Sequence, residues 1–123
     1  MKTNKIRETV TVGLIKGRHE MPVTKYIFED KIENIFDFNA IDEHICDFIA
    51  QEVGLTIAYG YAINQNDYTD VGILKGLKDL VVYVIGLTCI TASLVKICMA
   101  DGISLTLMYF DRESGEYIPQ YIC

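Results

Sequence analysis

The chain has 123 residues, half of them apolar and 23% charged, which fits one folded domain over residues 1–123 and excludes a disordered chain. The formal net charge is −6, and most of the acidic residues fall within residues 20–70. An acidic chain lacks the cationic surface that long nucleic acid requires, so we expect no such partner. The most apolar stretch, residues 80–95, is short and interrupted by polar residues and glycine, so we expect no membrane partner.

The four cysteines lie far apart, with no CxxC pair and no histidine at metal-ligand spacing, which argues against a zinc site. No export signal is visible, so we expect a cytoplasmic protein with reduced thiols, three of them buried. We expect no metal and no cofactor.

The first predicted elements are two strands. Residues 6–16 alternate between apolar and polar side chains and are rich in β-branched residues, which predicts a strand. The segment 17–22 contains a glycine and a proline and interrupts it. Residues 23–29 predict a second strand that pairs back on the first.

The clearest helix is predicted over residues 39–53, where apolar residues recur at helical spacing. We expect Asn39 to cap its amino end, with Asp42 and Glu43 in the first turn, where the helix dipole favours acids. Gly54 is expected to end it.

Residues 55–63 predict a strand, and the turn-forming residues Asn64–Asp70 predict a polar loop after it. The apolar run 79–85 predicts a buried strand, followed by a helix over residues 90–100 that Thr88 or Thr91 caps.

Residues 103–110 and 117–122 predict the last two strands, and Pro119 places the final strand at a sheet edge. The predicted fold is therefore α+β, with a mixed sheet of about six strands and two main helices. Residues 79–110 form one β-α-β unit, whose two strands should be parallel.

Two segments combine glycine with groups that bind anions. The joint between the buried strand and the second helix contains Gly86, Thr88 and Thr91, and a helix amino end beside a glycine can present free N–H groups. The turn that holds Arg18 and His19 places two anion-binding side chains side by side. An ordinary helix cap and an ordinary solvated turn explain the same residues.

Two further segments carry nucleotide-binding chemistry. Tyr109 can stack on a base, Arg112 can hold a phosphate, and Asp111 can accept from a ribose hydroxyl or an exocyclic amine. Asn64 begins a polar loop whose side chains can bind base edges or ribose. Core aromatics with a hairpin turn, and a simple polar turn, are the alternatives.

Three segments, GLIKGRHEMPVTKYIF, LVVYVIGLT and ISLTLMYFDRESGEYIPQ, resemble the first-described Thoeris anti-defence family of phage sponge proteins. The resemblance covers most of the chain by overall pattern. It implies a homodimer or a higher homo-oligomer in the cytoplasm of an infected bacterium. It also implies that the protein binds a cyclic ADP-ribose isomer made by a TIR-domain enzyme and does not cleave it, which blocks Thoeris immunity. Some family members also take up cyclic oligonucleotides at separate sites.

The residues themselves supply the groups that such a ligand needs. Eight residues are the candidate ligand-binding set: Arg18, His19, Asn64, Thr88, Thr91, Tyr109, Asp111 and Arg112. A chain this short can enclose a nucleotide more easily when two copies share a pocket. We expect a binding protein and not an enzyme. One alternative is a small nuclease or phosphodiesterase that uses His19 as acid or base. Another is an inhibitor that binds a defence protein through the acidic residues 20–70.

Overall fold

A computed structural model describes residues 7–17, 20–64 and 67–123, without the side chains of residues 58–71. Within these ranges the chain forms seven strands and two α-helices. In chain order they are β1 (Thr9–Ile15), β2 (Tyr26–Phe28), α1 (Phe38–Phe48), β3 (Leu55–Asn64), β4 (Asp67–Gly76), β5 (Asp79–Val84), α2 (Thr88–Ala100), β6 (Leu105–Asp111) and β7 (Glu116–Tyr121).

Five strands form one mixed sheet in the order β2-β1-β5-β6-β7. The first four run parallel to one another, and β7 pairs antiparallel with β6. The predicted α+β class, the mixed sheet and the parallel β-α-β unit are confirmed. Pro119 lies in β7, which is an edge strand as predicted, so its missing N–H does not interrupt a central ladder.

The predicted pairing of the first two strands is wrong in direction. β2 runs parallel to β1, with Gly13 opposite Tyr26 and Ile15 opposite Phe28. Residues 16–25 are far more than a tight hairpin needs, so the chain can return to the same end of β1 before it enters β2.

The predicted loop Asn64–Asp70 is also wrong, because β3 and β4 form a long antiparallel hairpin. The ladder runs from Leu55 opposite Gly76 to Asn64 opposite Asp67, which leaves only residues 65–66 between the strands. β3 and β4 form a sheet of their own, which is why the main sheet has five strands and not six. Turn-forming side chains at a hairpin tip resemble a loop in sequence, and only the pairing of the two strands distinguishes them.

Helix α1 begins slightly earlier than predicted. Asp37, not Asn39, caps it, since an Asp37 side-chain oxygen accepts from the Ala40 N–H at 3.2 Å. The first turn consequently contains no acidic residue, and Asp42 lies beyond it. The helix continues as a wider π-helical stretch, Ile49–Val53, and Gly54 follows with φ +76°, as expected of a terminating glycine.

The core lies between the two helices and the main sheet. Along β5 every second residue is buried, and the same alternation begins β6, so one face of the sheet supplies the core. The fully buried side chains include Leu14, Ile45, Ile49, Leu80, Val82, Ile90, Leu94, Leu105 and Leu107. This packing fixes β5, α2 and β6 relative to one another.

The cysteines are less buried than the sequence predicts. Cys98 is buried and Cys89 is partly buried, whereas Cys46 and Cys123 are exposed, and all four thiols are free. Burial raises the pKa of Cys98 to about 12, so this thiol stays protonated and inert at neutral pH. Cys46 is exposed because it lies beside the apolar stripe of α1 and not within it.

Candidate functional site

The carboxyl ends of the parallel strands meet at one edge of the main sheet. β1, β5 and β6 are parallel neighbours, so residues that follow Ile15, Val84 and Asp111 lie along this edge. Open α/β sheets place ligands at this edge, where turns and helix amino ends converge. We call it the carboxyl edge.

The turn from β5 into α2 is tight and uncapped. Gly86 and Leu87 both adopt left-handed backbone conformations, with φ of +52° and +50°. α2 begins at Thr88, two residues before the predicted start, and no side chain of the described residues caps it, so the predicted Thr88 or Thr91 cap is wrong. The left-handed Leu87 already reverses the chain, and Thr88 is the first helical residue. A left-handed conformation costs a residue with a Cβ about 1–2 kcal/mol, a kind of strain that often accompanies functional sites.

A cleft of about 610 Å³ lies between α2 and the sheet, beside this turn. It brings together three of the predicted ligand-binding residues, Thr88, Thr91 and Tyr109. The rest of the lining is mainly apolar and consists of Val84, Gly86, Ala92, Val95, Lys96, Leu107 and Ile122. The volume lies within the range of small-molecule sites, and apolar walls with a few polar groups are their usual composition.

Tyr109 provides an oriented aromatic surface at this cleft. Its hydroxyl donates to the Gln120 side-chain oxygen on β7 at 2.7 Å, while 39% of the residue stays exposed. The bond fixes the polar end of the side chain and leaves part of the ring accessible. An oriented, accessible ring is what stacking on a base requires.

Arg112 lines an adjoining cleft of about 280 Å³. Val84, Gly86 and Tyr109 line both clefts, so Arg112 and the two threonines flank the same tyrosine. No carboxylate in the described part of the chain lies within 4.0 Å of the Arg112 guanidinium, although Asp111 is its neighbour in sequence. The arginine is therefore available to an anion from outside the chain.

The Asp111 side chain is hydrogen-bonded within the turn between β6 and β7. Its carboxylate accepts from the Glu113 N–H at 3.2 Å and from the Ser114 hydroxyl at 2.9 Å. These bonds hold the pKa of Asp111 below its usual range, and the bond from the Ser114 hydroxyl has the largest effect. The side chain closes the turn between β6 and β7 and does not line either cleft.

The other three predicted residues are not among those that line this cleft. Asn64 ends β3, opposite Asp67 near the tip of the hairpin, and its side chain lies outside the described residues. Arg18 and His19 also lie outside them, within the connection from β1 to β2.

Lys96 lines the cleft and is not among the binding residues predicted from the sequence. It pairs with Asp42 of α1 at 2.7 Å, and the hydrogen bond from Lys96 is the main reason why the pKa of Asp42 is lowered. The spacing Thr88, Ala92, Lys96 is a four-residue helical repeat, which places the three on one face of α2. That repeat could have identified Lys96 from the sequence once the helix start was known.

His44 of α1 is exposed, and two contacts with β2 hold its ring in place. Its ring stacks on Phe28 with centroids 4.4 Å apart, and its Nε2–H donates to the Ile27 carbonyl at 2.6 Å. The histidine thus ties α1 to β2 at some distance in sequence from the cleft.

Comparison with protein-family models, with curated proteins and with solved structures gave no match to this chain. None of the helices described is long and apolar enough to cross a membrane. The site is therefore interpreted from its own geometry.

Proposed function

We propose that the carboxyl edge binds a small nucleotide and holds it without cleaving it. The observation that carries this proposal is the meeting of Thr88, Thr91 and Tyr109 around one cleft, with Arg112 on the adjoining one. Tyr109 would stack on the base, the threonine hydroxyls would bond to ribose, and Arg112 would hold the phosphates.

Binding is favoured over turnover by the groups that line the two clefts. General acid-base catalysis needs a titratable group, tuned toward neutral pH, within hydrogen-bond reach of the reacting atoms. The described lining offers two hydroxyls, a hydrogen-bonded phenol, an ion-paired lysine and an arginine. These are groups that position a ligand and neutralise its charge, and tight binding can follow from such preorganised contacts alone.

The ligand that we propose is a cyclic ADP-ribose isomer, as the resemblance to the Thoeris anti-defence family implies. It combines the base, riboses and pyrophosphate for which the cleft offers complementary groups. In this proposal the chain acts in the cytoplasm of an infected bacterium as a homodimer that removes a TIR-generated signal and so blocks Thoeris immunity.

The test separates a sponge from an enzyme. The purified chain is mixed with a tenfold excess of the cyclic ADP-ribose isomer, passed through a desalting column and heated, and the released nucleotide is chromatographed. We expect intact ligand in a fixed ratio to protein, with the excess unchanged. Consumption of the excess would support a phosphodiesterase, and no retained nucleotide would overturn the proposal.

Matched variants at Tyr109 test the stacking role. Tyr109→Phe keeps the ring and loses only the bond to Gln120, so we expect affinity to fall by less than about threefold. Tyr109→Leu removes the ring and should weaken binding about tenfold or more, since stacking on an aromatic ring contributes roughly 1–3 kcal/mol. Equal affinities for both variants would remove Tyr109 from the site.

A further inference from the structure

Another cavity adjoins the turn from β5 into α2. It measures about 340 Å³ and is lined by Ile15, Lys16, Gly17, Lys31, Ile32, Ile35 and Leu87. It shares no lining residue with the cleft at Thr88, Thr91 and Tyr109. The two sites therefore require separate explanations.

The position of this cavity follows from the topology. From β1 the chain moves to β2 on one side, whereas from β5 it moves through α2 to β6 on the other side. β1 and β5 are adjacent and parallel, so their following segments separate and leave a crevice at their carboxyl ends. Such a switch point is where open α/β sheets bind ligands. Ile15 ends β1, Lys16 and Gly17 follow it, and Leu87 follows β5, so the cavity occupies this crevice.

The cations of the cavity are not neutralised from within. No carboxylate of the described chain lies within 4.0 Å of the ammonium of Lys16 or of Lys31. Lys25, Lys78 and Lys96, by contrast, each pair with an acid. Two free ammonium groups over a mainly apolar floor suit a compact anion with two charges.

The amino end of α2 adds to the same field. Leu87 lines the cavity and is the residue from which α2 begins, and no side chain caps the helix. Leu87 thus places the amino end of α2 at the margin of the cavity, where the helix dipole favours negative charge.

We propose that this switch-point cavity is a separate site for a phosphate dianion, taken as free phosphate or as the end group of a phosphomonoester. Lys16 is its main anchor. Lys31 contributes less, because the acidic residues Glu29, Asp30 and Glu33 adjoin it in sequence and lower the local potential.

Two double variants with the same loss of charge test this site. Lys16→Gln with Lys31→Gln removes both cations of the cavity. Lys75→Gln with Lys78→Gln removes two lysines of β4 and of the segment after it, away from the carboxyl edge. Among the described residues Lys78 pairs only with the exposed Glu8, so the control should fold normally, and a thermal melt checks both variants.

Binding of inorganic phosphate and of adenosine monophosphate is measured by amide chemical shifts of the full chain at low ionic strength. We expect the amide signals of Gly17 and Ile32, which line this cavity and not the nucleotide cleft, to shift in the wild-type chain with either probe. We expect the cavity variant to bind at least about tenfold more weakly and the control to stay within about twofold. A shift only with adenosine monophosphate would indicate binding through the nucleoside and would overturn the phosphate site.

An equal loss in both double variants would reduce the effect to net charge and would also overturn the proposal, as would no shift in wild type. Arg112→Ala separates this site from the proposed nucleotide cleft. It should leave phosphate binding at Gly17 and Ile32 unchanged whether or not the nucleotide proposal holds. A loss of phosphate binding in this variant would show that the cavity is not a separate site.

Discussion

The amino edge of the main sheet, where the parallel strands begin, and the carboxyl edge, where they end, differ in whether their cations are paired with carboxylates. At the amino edge, where β1 and β5 begin, Arg7 bonds to Asp79 at 2.9 Å and to the Gly76 carbonyl at 2.7 Å, and Lys78 pairs with Glu8 at 3.2 Å. At the carboxyl edge, Lys16, Lys31 and Arg112 have no carboxylate partner among the described residues.

The backbone differs between the edges in the same sense. At the amino edge Gly102 has φ +66° and lies against the chain at Leu74, so its missing side chain is a packing requirement. At the carboxyl edge Gly86 also has a positive φ, but a Cβ there would meet no atom within 4 Å. One edge is closed by pairing and packing, whereas the other keeps space and charge available for a ligand.

The largest expected effect is on the free energy of unfolding when a glycine is replaced by alanine, once at the amino edge and once at the carboxyl edge. In Gly102→Ala the new Cβ would overlap the Leu74 carbonyl oxygen as well as strain the backbone, and we expect a loss of about 3 kcal/mol in the free energy of unfolding. Gly86→Ala carries only the backbone cost, about 1 kcal/mol. Urea denaturation measures both, and equal losses would contradict the distinction between a packed and an open edge.

The next largest effects concern two arginines, one at each edge, whose substitution should change either ligand affinity or stability. Arg112→Ala should weaken binding of the cyclic ADP-ribose isomer at least about tenfold, near 1.4 kcal/mol, and leave the melting temperature unchanged. Arg7→Ala should do the reverse, with a loss of about 1 kcal/mol of stability and unchanged affinity, because it removes bonds to Asp79 and Gly76. Calorimetric titration and thermal melts distinguish the two, and a stability loss in Arg112→Ala would count against a free guanidinium.

The smallest effect concerns the turn that presents Arg112. The Ser114 hydroxyl is the main reason why the pKa of Asp111 lies below its usual range. Because the pKa of Asp111 is lower in the folded chain than in the unfolded chain, its carboxylate stabilises the fold above the unfolded-state pKa. This stabilisation is lost as the pH falls through the folded-state pKa. Ser114→Ala should raise the pKa of Asp111 in a carbon-13 titration of the carboxyl group, and an unchanged value would show that the hydroxyl does not bind it.

The sequence predicts the parts of this molecule that depend on local periodicity. The apolar run 79–85 and the apolar stripe of α1 identify β5 and the helix within a few residues, and the glycine at position 54 ends the helix as expected. The parallel β-α-β unit follows from the order of these elements.

The features that the sequence misses depend on contacts between distant residues. No local sequence pattern indicates that β2 pairs parallel to β1, or that the polar stretch after Ile63 pairs with β3. Tyr109 and Thr88 could be proposed as binding residues from their types, but only the packing of α2 on the sheet places them around one cleft. The left-handed Leu87 has no signal in the sequence, because leucine rarely adopts that conformation.

The most direct test of an open carboxyl edge is a map of amide chemical shifts during titration with the cyclic ADP-ribose isomer. We expect the largest changes at Gly86, Thr88, Thr91 and Arg112, with the amides of Asp79 and Gly102 at the amino edge unmoved. Changes centred on the amino edge, or none at saturating ligand, would contradict the assignment of binding to the carboxyl edge.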